Sequence, residues 1–341
     1  MRPFFQWLCG SLLLLGGCID EVPLRVRNVQ PILVVEGLIT NEPPPYTVQL
    51  TYTGNFVSST LFPEALYVTG AQVRIFDDQG DTTTLKPVLE AQGVYRTTDP
   101  TFVGQIGRRY AVDLVLADGR HYVSQPELLR AVAPIDSLSA EFTEVVNFDE
   151  DHPYGYQLFA HAQDPAETED YYRWTLQGYS RRESTGRPLG FAGVCCNSCW
   201  VPFYERGINV LSDAAFNGNR IDHYYVGYVP YYVPGLHFVE VSQYSLTREA
   251  FQFWQRYGEQ LTRTGTTFDP LPAPLEGNVA NADNPDDLAL GYFGASALVR
   301  RRTILRGDTV RPGPYYYESF IEPGDCREVY LNGDLYTPEG W

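Results

Sequence analysis

The sequence has few basic residues for its length. Its 341 residues include 25 Lys and Arg against 42 Asp and Glu, the formal net charge is -17, and Lys86 is the only lysine. A chain this acidic is repelled by the phosphate backbone of nucleic acids and by anionic lipid surfaces. Nucleic-acid binding and charge-driven adsorption to membranes are therefore not expected of this protein.

Motifs of the common enzyme classes are also missing. The sequence contains no Gly-x-Ser-x-Gly elbow, no Gly-rich phosphate loop and no two histidines at His-x-x-x-His spacing. Adjacent carboxylates are frequent, as at 149–151 and 286–287, but chance alone produces such pairs in an acidic chain. The sequence therefore predicts no catalytic residue, no cofactor and no metal, and a surface hydrolase is the least favoured function.

The longest apolar run lies at the start of the chain and is too short for a transmembrane helix. It follows Arg2, includes the four leucines of 12–15 and ends in Leu-Gly-Gly-Cys at 15–18. A basic residue, an apolar run of about a dozen residues and two small residues together form a signal peptide. The last four residues match the lipobox of bacterial lipoproteins, in which the thiol of Cys18 takes a diacylglyceryl group as a thioether.

We therefore expect residues 1–17 to be removed and Cys18 to be lipidated. Residues 18–30 would then form a tether that holds the protein at a membrane outside the cytoplasm. Several acyl chains, each contributing about 0.8 kcal/mol per buried methylene, make such an anchor nearly permanent.

Short strands separated by Gly, Pro and Asp turns dominate the chain beyond the tether. For example, 32–37 is a short apolar strand that ends at a glycine, and 71–85 forms a hairpin around an acidic turn. The 25 Tyr, 18 Phe and 5 Trp suit the half-buried faces of strands. The pattern predicts a mainly β protein with two sandwich domains, an immunoglobulin-like or transthyretin-like one over 31–132 and a second over 133–341.

One amphipathic helix interrupts the strands of the second domain. Apolar residues recur at helical spacing from a cap region at Ser245 and Thr247 to a stop near Gly265. The stripe is expected to pack on a sheet, and a docking face for a partner is the alternative. Its members are Leu246, Ala250, Phe253, Trp254, Tyr257 and Leu261.

Four cysteines remain once Cys9 and Cys18 are assigned to the signal peptide and the anchor. In an oxidising compartment Cys195, Cys196, Cys199 and Cys326 favour two disulfides. Because a bridge between adjacent cysteines is strained and rare, we expect one bridge within 195–199 and one from this loop to Cys326. A zinc site built from the four thiolates and free thiols are the alternatives.

Two further segments are candidate ligand sites. Oxygen-bearing side chains alternate over 281–287 as in a calcium loop, although a turn that caps its own backbone is favoured there. The second segment is rich in tyrosine, and its rings could stack on sugars if they lie on the same face of a strand. The candidate ligand-binding residues are Tyr228, Tyr231 and Tyr232.

Four segments carry a resemblance to a known group of proteins. They are Tyr244–Trp254, Phe268–Pro274, Gly277–Asn281 and Leu290–Ser296. With the lipobox and the strand at 33–37, they make the chain resemble a family of Bacteroidota outer-membrane lipoproteins of unassigned function. The resemblance spans essentially the whole mature chain.

The resemblance implies a place at the outer membrane beside a TonB-dependent transporter, and it implies no catalytic residue. Asp20 and Glu21 after the lipidated cysteine also resemble the acidic signal that sends such lipoproteins to the cell surface. We therefore expect an accessory or ligand-capture partner of a TonB-dependent β-barrel. A free-standing glycan- or protein-binding adhesin, with the tyrosines as its contacts, is the alternative.

Overall fold

The computed structural model describes most of the chain beyond the predicted tether. The described residues are 30–54, 66–144, 154–189, 193–231, 235–262, 275–306 and 321–341. The predicted signal peptide, Cys18, Tyr232 and the segment 268–274 lie outside them. The described residues are mainly β, which confirms the predicted class. No helix among them has both the length and the apolar character needed to cross a membrane.

Nine strands form a closed, barrel-like sheet. They are β1 (Leu33–Thr40), β2 (Thr47–Tyr52), β3 (Gln72–Asp77), β4 (Thr82–Pro87), β5 (Val94–Thr97), β6 (Arg109–Val115), β7 (His121–Ser124), β18 (Glu276–Asn281) and β19 (Leu288–Ser296). Around the ring the order is β1-β2-β5-β4-β3-β6-β7-β18-β19, and β19 pairs in parallel with β1 to close it. The short β8 (Glu127–Leu128) pairs with β6 beside the ring.

This closure corrects the predicted domain boundary and the predicted sandwich over 31–132. Strands β18 and β19 belong to the segment assigned to the second domain, yet they fill the gap between β7 and β1. The first sheet is therefore closed by two strands from far along the chain, and it is not an open sandwich of local strands. Alternating hydrophobicity identifies a strand but not its partner, so the sequence pattern did not reveal this.

The inside of the closed sheet is a packed core. Because side chains alternate along a strand, Leu33, Val35 and Ile39 of β1 all point inward and are buried. Gly37 also faces inward, where a Cβ atom would lie 2.9 Å from the ring of Phe293. The missing side chain at 37 thus makes room for an aromatic residue from β19.

Two further sheets share a second core. The three-stranded sheet contains β9 (Ser137–Glu144), β10 (Tyr154–Gln163) and β16 (Arg220–Pro230). The five-stranded sheet contains β11 (Tyr171–Glu183), β14 (Ser198–Tyr204), β15 (Asn209–Ser212), β17 (Leu236–Leu246) and β20 (Leu298–Arg306). A two-residue pair, β12 (Arg187–Pro188) and β13 (Val194–Cys195), lies apart from them. Leu158 and Val229 from the smaller sheet share one core cluster with Trp174 and Val241 from the larger.

The predicted helix is present as α1 (Arg248–Leu261). It starts later than predicted, because Leu246 is the last residue of β17 and Thr247 is the N-cap. Ala250 and Phe253 are buried, so this part of the stripe packs against the protein as expected. Leu261 at the far end is 53% exposed and is not part of that contact.

A buried carboxylate fixes the start of α1. The Thr247 hydroxyl accepts a hydrogen bond from the Ala250 amide at 3.2 Å and donates to Glu127 Oε2 at 2.7 Å. The Tyr292 hydroxyl of β19 donates to the other oxygen of Glu127. Burial raises the pKa of Glu127, and the two hydroxyl donors partly offset this effect. The helix is thereby attached to the closed sheet at its N-terminus.

The cysteines form two disulfides. As expected, one joins the 195–199 loop to the C-terminal part: Cys199 in β14 pairs with Cys326, the first residue of the short helix α2 (Cys326–Val329). The other joins the neighbours Cys195 and Cys196, which corrects the expectation that adjacent cysteines would not pair. Cys199 and Cys326 are both buried and face each other. Because these two sulfurs bond to each other, Cys195 pairs with its neighbour Cys196. All four sulfurs are oxidised, which leaves no thiolates for zinc.

Removing the long-range disulfide should destabilise the protein strongly. Cys199 and Cys326 are 127 residues apart, and a cross-link over a loop of this length contributes about 3–5 kcal/mol by restricting the unfolded chain. The double variant Cys199→Ser/Cys326→Ser should lose this much free energy of unfolding in urea titrations followed by tryptophan fluorescence. The matched control Cys195→Ser/Cys196→Ser opens no long loop and should lose much less. Equal losses would contradict the prediction.

Removing the N-cap hydroxyl should loosen α1. Thr247→Ala deletes both the cap and the hydrogen bond to Glu127, and loss of a cap alone costs about 0.5–2 kcal/mol. Thr247→Ser keeps the hydroxyl and should stay close to the wild type. Hydrogen exchange of the α1 amides, measured by mass spectrometry, should accelerate in the alanine variant only. Unchanged exchange in the alanine variant would show that the cap does not hold the helix.

Candidate functional site

A cavity of about 810 Å³ lies between the outer face of the closed sheet and helix α1. We call it the helix cavity. One wall comes from β1, β2 and β19, and the opposite wall comes from α1. The residues used below are Val34, Glu36, Gln49, Arg173, Trp254 and Tyr257, all of which line it.

The strand wall follows from the alternation that builds the core. Val35 of β1 points into the closed sheet, so its neighbours Val34 and Glu36 point outward into the cavity. In β2, Val48 is buried inside and Gln49 lines the cavity. The same strands therefore supply a core on one face and a ligand-sized space on the other.

The helix wall is aromatic. Phe253 is buried under α1, while Trp254 and Tyr257 are partly exposed toward the cavity. The helix stripe noted in the sequence is therefore divided between core packing and the cavity wall. Because α1 is attached at its first residues, these rings sit at a defined distance from the strands.

Arg173 of β11 brings a positive charge into this apolar space. Its guanidinium carbon lies 3.7 Å from the centroid of the Trp254 ring and 5.9 Å from that of Tyr244. No carboxylate of the described residues forms an ion pair with it. Burial lowers the pKa of Arg173, although a guanidinium remains protonated at neutral pH. A desolvated cation with aromatic neighbours and no counter-ion favours an anionic ligand.

The cavity has the features of a binding site. Ligand sites are mostly apolar spaces of about 300–1,000 Å³ with a few convergent polar groups. The helix cavity has apolar and aromatic walls, one arginine, and the polar side chains of Glu36 and Gln49. Its described lining contains neither histidine nor cysteine, and Glu36 is its one carboxylate. This set of side chains suits binding and orientation of a ligand that combines an apolar body with an anionic group.

Two of the three candidate tyrosines, Tyr228 and Tyr231, are buried and are not available as a sugar platform, which corrects the sequence-based assignment. Tyr228 is 4% exposed and Tyr231 is 1% exposed. The Tyr231 ring packs edge-on against Phe142 at 5.3 Å, inside the second core. The end of β16 is covered on both faces, so residues 226–229 are all buried instead of alternating. Tyr232 lies outside the described residues.

The segment 281–287 adopts the favoured turn. Asn281 Nδ2 donates to Asp287 Oδ2 at 2.9 Å, and the Tyr122 hydroxyl donates to the same oxygen at 2.8 Å. The Asp283 amide donates to Asn281 Oδ1 at 2.9 Å. Asn281 Oδ1 and Asp287 Oδ2 thus accept hydrogen bonds from within the turn and from Tyr122, as expected when such a segment caps its own backbone.

The sequence pattern did not predict the helix cavity, although it predicted part of one wall. Trp254 and Tyr257 belong to the predicted helix stripe, whereas no sequence motif singles out Arg173. The sequence does contain one indication of the site, which is an arginine within the aromatic strand segment 171–174. A charged side chain on such an apolar strand needs an ion pair or a polar ligand to offset the cost of its burial.

No curated protein matches the chain. One family model, described as a domain of unknown function, matches residues 19–302, which is most of the chain. The protein therefore belongs to the DUF4249 family.

Proposed function

We propose that this protein is a lipid-anchored, non-catalytic ligand-capture protein of the outer membrane that acts as an accessory of a TonB-dependent transporter. The observation that carries the capture role is the helix cavity, where Arg173 stacks on Trp254 and has no ion-pair partner within the described part of the chain. The lipobox at 15–18 and the resemblance to Bacteroidota lipoproteins support the anchor, the location and the partner.

The chemistry of the cavity defines the ligand class. The Trp254 ring covers one face of the Arg173 guanidinium group, so its N–H groups at the edge of the guanidinium plane remain for a ligand. A carboxylate or sulfonate accepts paired hydrogen bonds from such an edge. The apolar residues of β1 and the rings of α1 would cover the rest of the ligand. We therefore expect an amphiphile with an aromatic or aliphatic body and one anionic group.

The alternative of a free-standing glycan- or protein-binding adhesin has less support than the capture role. It required exposed rings at 228, 231 and 232, and the two described ones are buried. The cavity instead presents a partly enclosed space, which suits a small ligand better than a polymeric glycan.

The charge of Arg173 should decide which probes bind. We expect 1-anilinonaphthalene-8-sulfonate to bind the detergent-purified protein, with a rise in its fluorescence. Arg173→Met keeps the side-chain stem and removes the charge, so binding should weaken about 10- to 100-fold, the value of a hydrogen bond to a charged group. N-phenyl-1-naphthylamine has the same rings without the sulfonate, and it should bind both proteins alike.

The stability of the same variant is an internal control. Because Arg173 has no counter-ion among the described residues, Arg173→Met should not lower the thermal midpoint of the ligand-free protein. An anion site at Arg173 would be contradicted if Arg173→Met weakened the binding of both probes equally, or if it left the binding of the sulfonate probe unchanged.

The anchor and the partner need a separate test in cells. A TonB-dependent β-barrel should co-purify with the wild-type protein after mild detergent extraction. Cys18→Ala should remain unlipidated and lose most of this association, because the tether raises the effective concentration at the membrane. A monomeric wild-type protein with no barrel in the eluate would contradict the accessory role and leave the binding test unaffected.

A further inference from the structure

Three buried aspartates meet in the second part of the protein, away from the helix cavity. Asp164 follows β10, Asp170 precedes β11, and Asp213 begins the short 3-10 turn after β15. Their exposures are 2%, 8% and 0%. One carboxylate oxygen from each lies within 4.8 Å of the other two. We call this group the aspartate cluster.

Two members of the aspartate cluster are held by neutral donors. The Tyr172 hydroxyl donates to Asp164 Oδ1 at 2.6 Å, and the Gly218 amide donates to Asp164 Oδ2 at 2.9 Å. The Thr168 hydroxyl donates to Asp170 Oδ2 at 2.5 Å. These donors fix the positions of the carboxylates, and each oxygen keeps a second lone pair for another ligand.

Asp213 is different because one of its oxygens has no partner. Its Oδ2 accepts a hydrogen bond from the Asp170 amide at 2.7 Å. Its Oδ1 is buried, and no donor among the described residues reaches it. A buried carboxylate oxygen without a donor destabilises the folded protein, because its hydrogen bonds to water are lost and no protein donor replaces them. This oxygen is therefore available to a ligand that the described donors do not provide.

The charges around the aspartate cluster indicate which kind of ligand would fit it. Arg130 forms an ion pair with Asp170 at 3.3 Å, and no other cation of the described residues forms an ion pair with the three carboxylates. Three negative charges and one positive charge leave a net charge of -2. Burial raises the pKa of Asp213, and the charges of Asp164 and Asp170 raise it further. A divalent cation would balance the cluster without requiring a proton.

We propose that the aspartate cluster binds one calcium ion. All three ligands are hard carboxylate oxygens, and neither histidine nor cysteine belongs to the cluster. Three carboxylate oxygens this close together can reach one ion, and calcium accepts oxygen ligands at about 2.3–2.6 Å in irregular arrangements, whereas Mg²⁺ requires a near-ideal octahedron and usually keeps several waters. The remaining ligands would be water or backbone carbonyls, as is usual for calcium. This site does not depend on the ligand-capture function.

The position of the site indicates its effect. It connects the loop between β10 and β11 with the turn after β15, and Arg130 links it to the segment that leaves the first sheet. A bound ion would hold these segments together. Calcium would thus stabilise the second part of the protein at the concentrations found outside cells.

The proposal can be tested on the full-length protein in detergent after treatment with EGTA. Added calcium should raise the thermal midpoint in a saturable way, with half of the effect at about 0.1–1 mM, the range of extracellular calcium modules. Terbium should emit when Tyr172 is excited, because its hydroxyl contacts Asp164, and calcium should displace it.

Asp213→Asn should abolish both the shift and the terbium emission, with Asp170→Asn as a second variant if the first does not fold. Asp283→Asn removes an exposed charge in the 281–287 turn and should respond to calcium like the wild type. If the wild type does not respond and Asp213→Asn raises the midpoint without calcium, the cluster holds a proton and the proposal is wrong. If Asp283→Asn loses the calcium response as well, the response arises from surface charge, and the proposal is overturned.

Discussion

The parallel pairing of β1 with β19 connects the first strand of the described chain with the next-to-last one, and the arrangement of the other elements depends on it. Backbones approach closely there: a Cβ atom on Gly291 would lie 2.2 Å from the carbonyl oxygen of Val35, and Gly291 has a φ of +81°. Only glycine allows both this conformation and this approach. The pairing closes the sheet, brings Tyr292 to Glu127, and so sets where α1 begins.

The closure also explains why one strand face could become a binding wall. A closed sheet satisfies its own hydrogen bonds and fills its own interior, so its outer face is free to take other contacts. Val34 and Glu36 on that face meet the helix instead of a second sheet. The helix leaves β17 immediately after Leu246, and this short connection keeps Trp254 close to Arg173 of the adjacent β11.

Local features of this fold could be predicted from the sequence, but the partners could not. Alternation located the early strands, and helical spacing located α1, because both signals arise within a few residues. The closure by β18, the pairing of Cys195 with Cys196 and the burial of Tyr231 depend on residues far away in sequence. Arg173 illustrates the same limit, since an arginine on a strand becomes informative only when its burial and its missing counter-ion are known.

Burial of an uncompensated charge gives a binding site a moderate affinity, and this suits the proposed capture role. An anionic ligand at Arg173 would relieve a desolvated cation, but the ligand also loses its own hydration, so the net gain is limited. A protein that passes its ligand to a transporter needs such a limit, because very tight binding would slow release. The proposed tether at Cys18 would compensate for a moderate affinity by raising the concentration of the protein at the transporter. In this proposal anchor and cavity are two parts of one mechanism, in which the membrane would determine the encounter and Arg173 would determine the choice of ligand.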